Sequence, residues 1–268
     1  MLAVGGVRVR DAGAKKGRGV FAERAASIGA VLLRESAFAA VPRDHSTRCT
    51  QCLHRKPCGI DTDTGLGSSS DQELDDADGW WTCACQLMFC SRCWETGGDV
   101  HEQTSECQVL RAAGRPPDSA VLLGLRCYAR VEGGTSSPST DLSQFERLMR
   151  APLDATLSKR ASSLSDLLRH ESPALPASGG ASAEILISTL ACNALSVGDH
   201  RGLAGSALFR GAAMLNHSCD PNAFVWFRFG GAEGRVVAEV RATRVIQPGQ
   251  EVCIDVSASV CCRACNES

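Results

Sequence analysis

The chain has 268 residues, 44% of them hydrophobic, with 28 basic against 30 acidic residues and a formal net charge of −2. That is enough apolar material for a full core in one or two domains, no run approaches the roughly 18 apolar residues of a membrane span, and the near-neutral balance argues against a general binder of phosphate backbones. Fifteen cysteines, an odd number in a chain too long to need disulfide staples, point to metal ligation by reduced thiols.

The N-terminal MLAVGGVRVR is interrupted by arginine too early for a secretory signal, so cytoplasm or nucleus is expected. In KKGRGVFAERAASIGAVLLRE, Gly17 and Gly19 bracket Arg18, and Ile28-Gly29-Ala30 turns the chain into the alternating strand VLLRE. A lone GRG serves a hairpin turn as readily as a ligand. Eight cysteines then lie between 49 and 107, as Cys49-x2-Cys52, Cys58, Cys83-x-Cys85, Cys90-x2-Cys93 and Cys107, the last preceded by His101. Pairs at this spacing supply enough ligands for two tetrahedral zinc ions with no open position, which makes the sites structural. Residues 59–79, acidic and Ser/Gly-rich, read as a solvated spacer.

Beyond the cysteines, Pro116-Pro117-Asp118-Ser119 caps a predicted helix whose apolar face is Val121, Leu122, Leu125 and Tyr128. Two Ser/Pro-rich breaks, 131–141 and 170–184, flank LSQFERLM and LDATLSKRASSLSDLLRH, both with apolar residues at helical spacing. The last third alternates as short strands in FVWFRFG, GRVVAEVRATRVI and EVCIDV. Before them stands MLNHSCDPNA (214–223), in which Met214 and Leu215 suit a core and Asp220, Pro221 and Asn222 a turn. A turn does not require the imidazole of His217 or the thiol of Cys219. A buried, satisfied histidine is one account of the pair; a cysteine nucleophile is another, but nothing in the sequence supplies the orienting third group it needs.

Together, GRGVFA, MLNHSCDPNA and IQPGQEVCIDV resemble the SET domain of protein lysine methyltransferases, and the cysteine pattern at 49–107 resembles a MYND zinc finger, which narrows the likeness to the SET and MYND domain (SMYD) family. The resemblance implies an α+β fold: a mostly β SET core with an inserted finger and a helical insert. It divides the chain into an N-terminal SET segment (1–48), the finger (49–107), the helical insert (108–182), a C-terminal SET segment (183–256) and a Cys-rich tail (257–268). Residues 216–219 and 251–256 are then expected side by side. It implies transfer of a methyl group from S-adenosylmethionine to a lysine of a protein substrate, histone or non-histone, with partner peptides at the finger.

By the same resemblance, Lys16, Gly17, Arg18 and Gly19 hold the methionine end of the cofactor, Asn216 and His217 the adenosine, and Asn193 is a further cofactor contact. One zinc falls to Cys49, Cys52, Cys90 and Cys93, the other to Cys83, Cys85, His101 and Cys107. Cys83-x-Cys85 is one residue shorter than a CxxC, so Cys58 is an alternative to Cys83. A third zinc would draw on Cys219 and the tail cysteines Cys261, Cys262 and Cys265. The pattern departs where the closing strand has Val256 in place of a tyrosine that shapes the lysine pocket, and the 268 residues hold no counterpart of the helical C-terminal domain of many members. Catalytic residues are therefore unassigned. A second expectation is a catalytically weak SET–MYND protein that works as a zinc-dependent interaction module.

Overall fold

The structure is a computed structural model that describes residues 6–14, 16–56, 79–132, 148–171, 178–230 and 235–256. Cys58, Cys261, Cys262, Cys265, nearly all of the 59–79 spacer and most of LSQFERLM lie outside the described residues.

The chain opens with a hairpin. Strand β1 (Val7–Gly13) pairs antiparallel with β2 (Gly17–Ala22), Gly13 opposite Gly17. Both glycines have positive φ, 95° and 69°, which a side chain would resist at this tight turn. Gly29, at φ 80°, turns the chain into β3 (Val31–Ser36), and β4 (Ala39–Pro42) follows at once.

The finger begins at Cys49 and contains the hairpin β5 (Trp80–Thr82) and β6 (Met88–Cys90), then α1 (Ser91–Glu102). Helix α2 (Ser105–Ala113) is capped by Thr104, whose hydroxyl accepts from Cys107 N–H, and ends on left-handed Gly114. In α3 (Ser119–Glu132) Asp118 Oδ1 accepts from Ala120 and Val121 N–H, as the PPDS cap predicts, and Val121, Leu122, Leu125 and Tyr128 are all buried. Helices α4 (Ala155–Glu171) and α5 (Ser178–Asn193) complete the helical layer. The expected segment boundaries at 107 and 182 fall inside α2 and α5.

Strands β7 (Ala194–Asp199) and β8 (Gly202–Leu208) form a hairpin that pairs with β4, a unit the glycine- and alanine-rich sequence did not announce. A short 3₁₀ turn (Ala212–Met214) leads into β9 (Asn216–His217), followed by β10 (Ala223–Arg228), β11 (Val237–Ala242) and β12 (Glu251–Ile254). Beside the finger's two-stranded β5-β6, three small sheets are described, ordered β1-β2-β12-β9, β10-β11-β3 and β4-β8-β7.

Two apolar clusters hold these elements. One unites the finger cysteines with α2 to α5; the other lies among the sheets, with Phe209, Val240, Val252 and Ile254 at its centre, and Met214 packs against both. The second cluster matters most for the site, since it holds β2, β12 and Leu215, the residue before β9, together.

Candidate active site and ligand clusters

The GRG strand and the NHSC stretch, nearly 200 residues apart, are brought together by β12. It pairs antiparallel with β2 (Glu251 opposite Phe21) and parallel with β9 (Cys253 opposite Asn216, Ile254 opposite His217). Asn222 secures the arrangement. Its side chain is buried, donates to Glu251 O at 2.8 Å and accepts from Cys253 N–H at 2.8 Å, so it fills two backbone positions of the strand edge. Sequence reading took Asn222 for a turn former; its role depends on β12, which is remote in the chain.

Glu251 is the centre of the group. Its carboxylate accepts from Asn216 Nδ2 at 2.7 Å and from Lys16 Nζ at 2.9 Å, and Asn216 also donates to Arg18 O at 3.1 Å. Burial alone would raise the Glu251 carboxyl, but the hydrogen bonds from Asn216 and Lys16 and the charge of Lys16 outweigh it and hold the group below its ordinary value. Lys16 is held above its ordinary value by its hydrogen bond to Glu251. Gly19 makes the convergence possible: a Cβ there would stand 2.7 Å from Glu251 Oε1 and 2.9 Å from Asn216 Nδ2. At Gly17 a Cβ would meet nothing within 4 Å, so the backbone is open on that side.

His217, half-buried, accepts from Val256 N–H through Nδ1 at 3.2 Å. In the neutral ring this leaves the proton on Nε2, which faces Cys219 Sγ at 3.3 Å. Asp255 Oδ1 lies farther from the same Nδ1, at 3.6 Å. Val256 is thus placed beside the imidazole, with its side chain partly exposed at 39%. The chain's only tyrosine, Tyr128, is buried in α3 among the helices and not in this group. Asn193 ends α5, buried, and donates to Thr189 O at 2.7 Å and Met149 O at 2.8 Å, so its amide nitrogen is engaged with main chain and not with the Lys16–Glu251–Asn216 group.

The cysteines separate into two quartets: Cys49, Cys52, Cys90 and Cys93, and Cys83, Cys85, His101 and Cys107, with the ligand atoms of each within 4.8 Å of one another. Among the described residues the second includes Cys83; Cys58 lies outside them. Zn–S bonds of about 2.3 Å in a tetrahedron put sulfurs about 3.8 Å apart, and Cys52 and Cys90 lie at 3.8 Å, Cys83 and Cys107 at 3.5 Å. Hydrogen bonds from Cys52, Cys90 and Cys93 hold the Cys49 thiol well below its ordinary value, and those from Cys49 and Cys90 push Cys52 and Cys93 up, a donor set that suits a shared cation. The two left-handed residues other than glycine among the described residues, Leu53 and Gln86, each follow a ligand cysteine, where the chain folds back over the site.

A buried pair that sequence reading missed ties the finger to the helices. Arg126 of α3 donates Nε to both oxygens of Glu106 at 3.1 Å and Nη2 to Oε1 at 2.6 Å, and spends its remaining donors on Thr50 and the Ala40 carbonyl. Neither sequence position carries a local signal; only the packing of α2 on α3 makes them partners.

A family model described as the SET domain matches residues 17–255. The chain belongs to the SET domain family. Among curated SET proteins it is similar to the N-lysine methyltransferase SMYD2-B of Danio rerio, 28% identical over 88% of this chain and 51% of that one, and to N-lysine methyltransferase SMYD2 of Gallus gallus, 26% identical over 91% and 52%. The chain spans about half the length of the curated relatives it matches. A solved SET domain structure, that of LSMT bound to lysine and AdoHcy, aligns with 96% of this chain and 51% of its own at 12% identity and a TM-score of 0.42. The α+β architecture, the cysteine quartets and the pairing of 216–217 with 253–254 agree with the SET match.

Proposed function

We propose that the chain is a protein-lysine N-methyltransferase that uses S-adenosylmethionine, acts on a lysine of a protein substrate, and works in the cytoplasm or nucleus, where thiols stay reduced. The observation that carries this reading is the convergence of Lys16, Gly19 and Asn216 on Glu251, with Arg18 O bonded to Asn216 and His217 next to it on β9, within a SET fold. The cofactor supplies an activated sulfonium methyl. The residues present suit it: open backbone at Gly17, the Lys16 and Arg18 side chains beside it for a carboxylate, and an amide and an imidazole for adenosine hydroxyls and ring nitrogens. Asn193, whose amide nitrogen bonds the main chain, belongs to the same proposal as a cofactor contact. Zinc fits both quartets as a structural ion, and a third zinc at Cys219 with Cys262 and Cys265, both outside the described residues, is part of the same proposal.

Val256 favours a second reading, a SET–MYND protein of low catalytic power that engages partner peptides through its finger, because a valine cannot donate the hydrogen bond that orients an amine. Calorimetry with S-adenosylmethionine, followed by transfer of labelled methyl to a panel of lysine-containing proteins, separates the readings. Binding with transfer supports the enzyme, and binding without transfer supports the module. Absence of cofactor binding by folded, zinc-loaded protein overturns the proposal.

A further inference from the structure

Strand β10 is the outermost strand of the sheet β10-β11-β3. No register shift interrupts its pairing with β11, and its sequence, AFVWFR, holds no proline and one charged residue. Neighbouring bonds fix the direction of its main-chain groups. Thr243 N–H donates to Asn222 O at 2.9 Å, whereas the adjacent Ala242 exchanges hydrogen bonds with Gly29 and Ala30 on the β3 side. In the antiparallel alternation this turns the main-chain groups of Phe224, Trp226 and Arg228 to β11, and those of Ala223, Val225 and Phe227 to the open edge. Among the described residues no strand pairs with that edge.

Proteins ordinarily blunt such an edge with charge, proline or a bulge. Here Val225 and Phe227 turn into the sheet cluster, Phe227 against Phe209 with ring centroids at 5.8 Å. On the opposite face Phe224 and Trp226 stand in solvent, 41% and 58% exposed, with Arg228 exposed after them. Charge on that face is settled farther in: buried Glu239 of β11 binds Arg34 at 2.7 Å and Arg241 at 2.5 Å, and reaches Arg228 only at 3.5 Å. The edge thus offers bare main chain beside Phe, Trp and Arg at alternate positions.

We infer that β10 is a self-association edge, on which β10 of a second copy of this chain pairs antiparallel and joins the two sheets into one. The order of the side chains selects this occupant. With the two-fold axis at Trp226, Val225 and Phe227 of one copy lie opposite Phe227 and Val225 of the other, the residues whose main-chain groups are open. On the exposed face Trp226 meets its own counterpart, and Phe224 meets Arg228 twice, once in each direction, a ring against a guanidinium. The single charge of the strand faces a ring and not its like. An axis at Arg228 would set arginine against arginine, and one at Val225 would set Arg228 against Asn222, whose amide is spent on β12.

Sedimentation equilibrium on the full zinc-loaded chain tests the edge, with hydrogen exchange read at low and high protein concentration. Wild type should pass from monomer to dimer as concentration rises through the micromolar range. The amides of Val225 and Phe227 should gain protection with it, while those of Phe224 and Trp226, already turned to β11, change little. Trp226→Lys alters an exposed side chain and sets two like charges on the axis, so it should keep its melt and weaken dimerisation by about tenfold or more. Arg228→Ala, which removes the partner of Phe224, should weaken it as well. Ile28→Lys, at an exposed apolar residue before β3, should dimerise as wild type does. The proposal is overturned if wild type stays monomeric at high micromolar concentration, whether its edge amides exchange freely or another part of the chain protects them, or if folded Trp226→Lys and Arg228→Ala both dimerise as tightly as wild type.

Discussion

Glu251 decides more than any other single side chain near the cofactor group, because Lys16 and Asn216 both aim at it. A glutamate whose folded value is lowered stabilises above its unfolded value of about 4.3 and loses that contribution as pH falls through the lower folded value; a lysine whose value is raised stabilises below about 10.4 and loses it as pH rises past its folded value. Lys16 is 49% exposed, so solvent screens its share to less than about 1 kcal/mol, and the bond from Asn216 adds about 1 kcal/mol. Glu251→Gln should therefore lower stability by about 1–2 kcal/mol, a difference that thermal melts should find constant from about pH 5.5 to 9 and shrinking below about pH 4. Gly19→Ala acts differently. Its Cβ would meet Glu251 Oε1, Asn216 Nδ2 and Ala12 Cβ, so it must displace the Glu251–Asn216 bond; the variant should lose about 1 kcal/mol in thermal melts, and S-adenosylmethionine affinity, read by calorimetry, should fall. At Val256, which donates its backbone N–H to His217, a tyrosine should raise methyl transfer by about a hundredfold through orientation of the amine, with cofactor affinity little changed. A tyrosine variant that binds cofactor normally and transfers no faster than the parent would place the catalytic defect elsewhere.

The finger behaves as part of the helical layer and not as an appended module. Its cysteines share one apolar cluster with α2 to α5, and Leu53, between ligand Cys52 and His54, reaches the other cluster against β8. Elemental analysis of zinc-purified protein should find at least about two equivalents, one per quartet. Arg126→Met strands the buried Glu106 carboxylate and should destabilise by about 3–5 kcal/mol in denaturant unfolding, more than most surface changes. Glu106 is held below its ordinary value because Arg126 outweighs the burial that would raise it, so acid should weaken this junction as pH falls through that lowered value. The helix over 119–132 was legible because its cap and its apolar spacing are local properties. The hairpin β7-β8 was not, since small residues such as Gly198, Gly202 and Gly205 carry no alternation; they are selected by close approach, Gly205 lacking room for a Cβ 2.1 Å from Val41 O.

At the scale of the whole molecule, the two clusters meet through Met214 and Leu53, so loss of zinc should not stay confined to residues 49–107. Hydrogen exchange after chelation should show α2 and α3 losing protection first, and β2, β3 and β11, whose apolar faces lie in the sheet cluster, keeping it longest. Retained protection throughout α2 after metal loss would show the finger to be separable after all. By itself the sequence determined the family likeness, the metal-ligand types, the GRG and NHSC elements and the strands of the last third, because each rests on residue chemistry and short spacing. Tertiary structure decided that Cys83 lies within reach of Cys85, His101 and Cys107, that Asn222 clamps β12, that Glu251 gathers Lys16 and Asn216, and that Arg126 answers Glu106. The physical reason is common to all four. Each partner is chosen by distance in space after the chain has folded, and neither a thiol, an amide nor a carboxylate records in its local sequence which distant group will satisfy it.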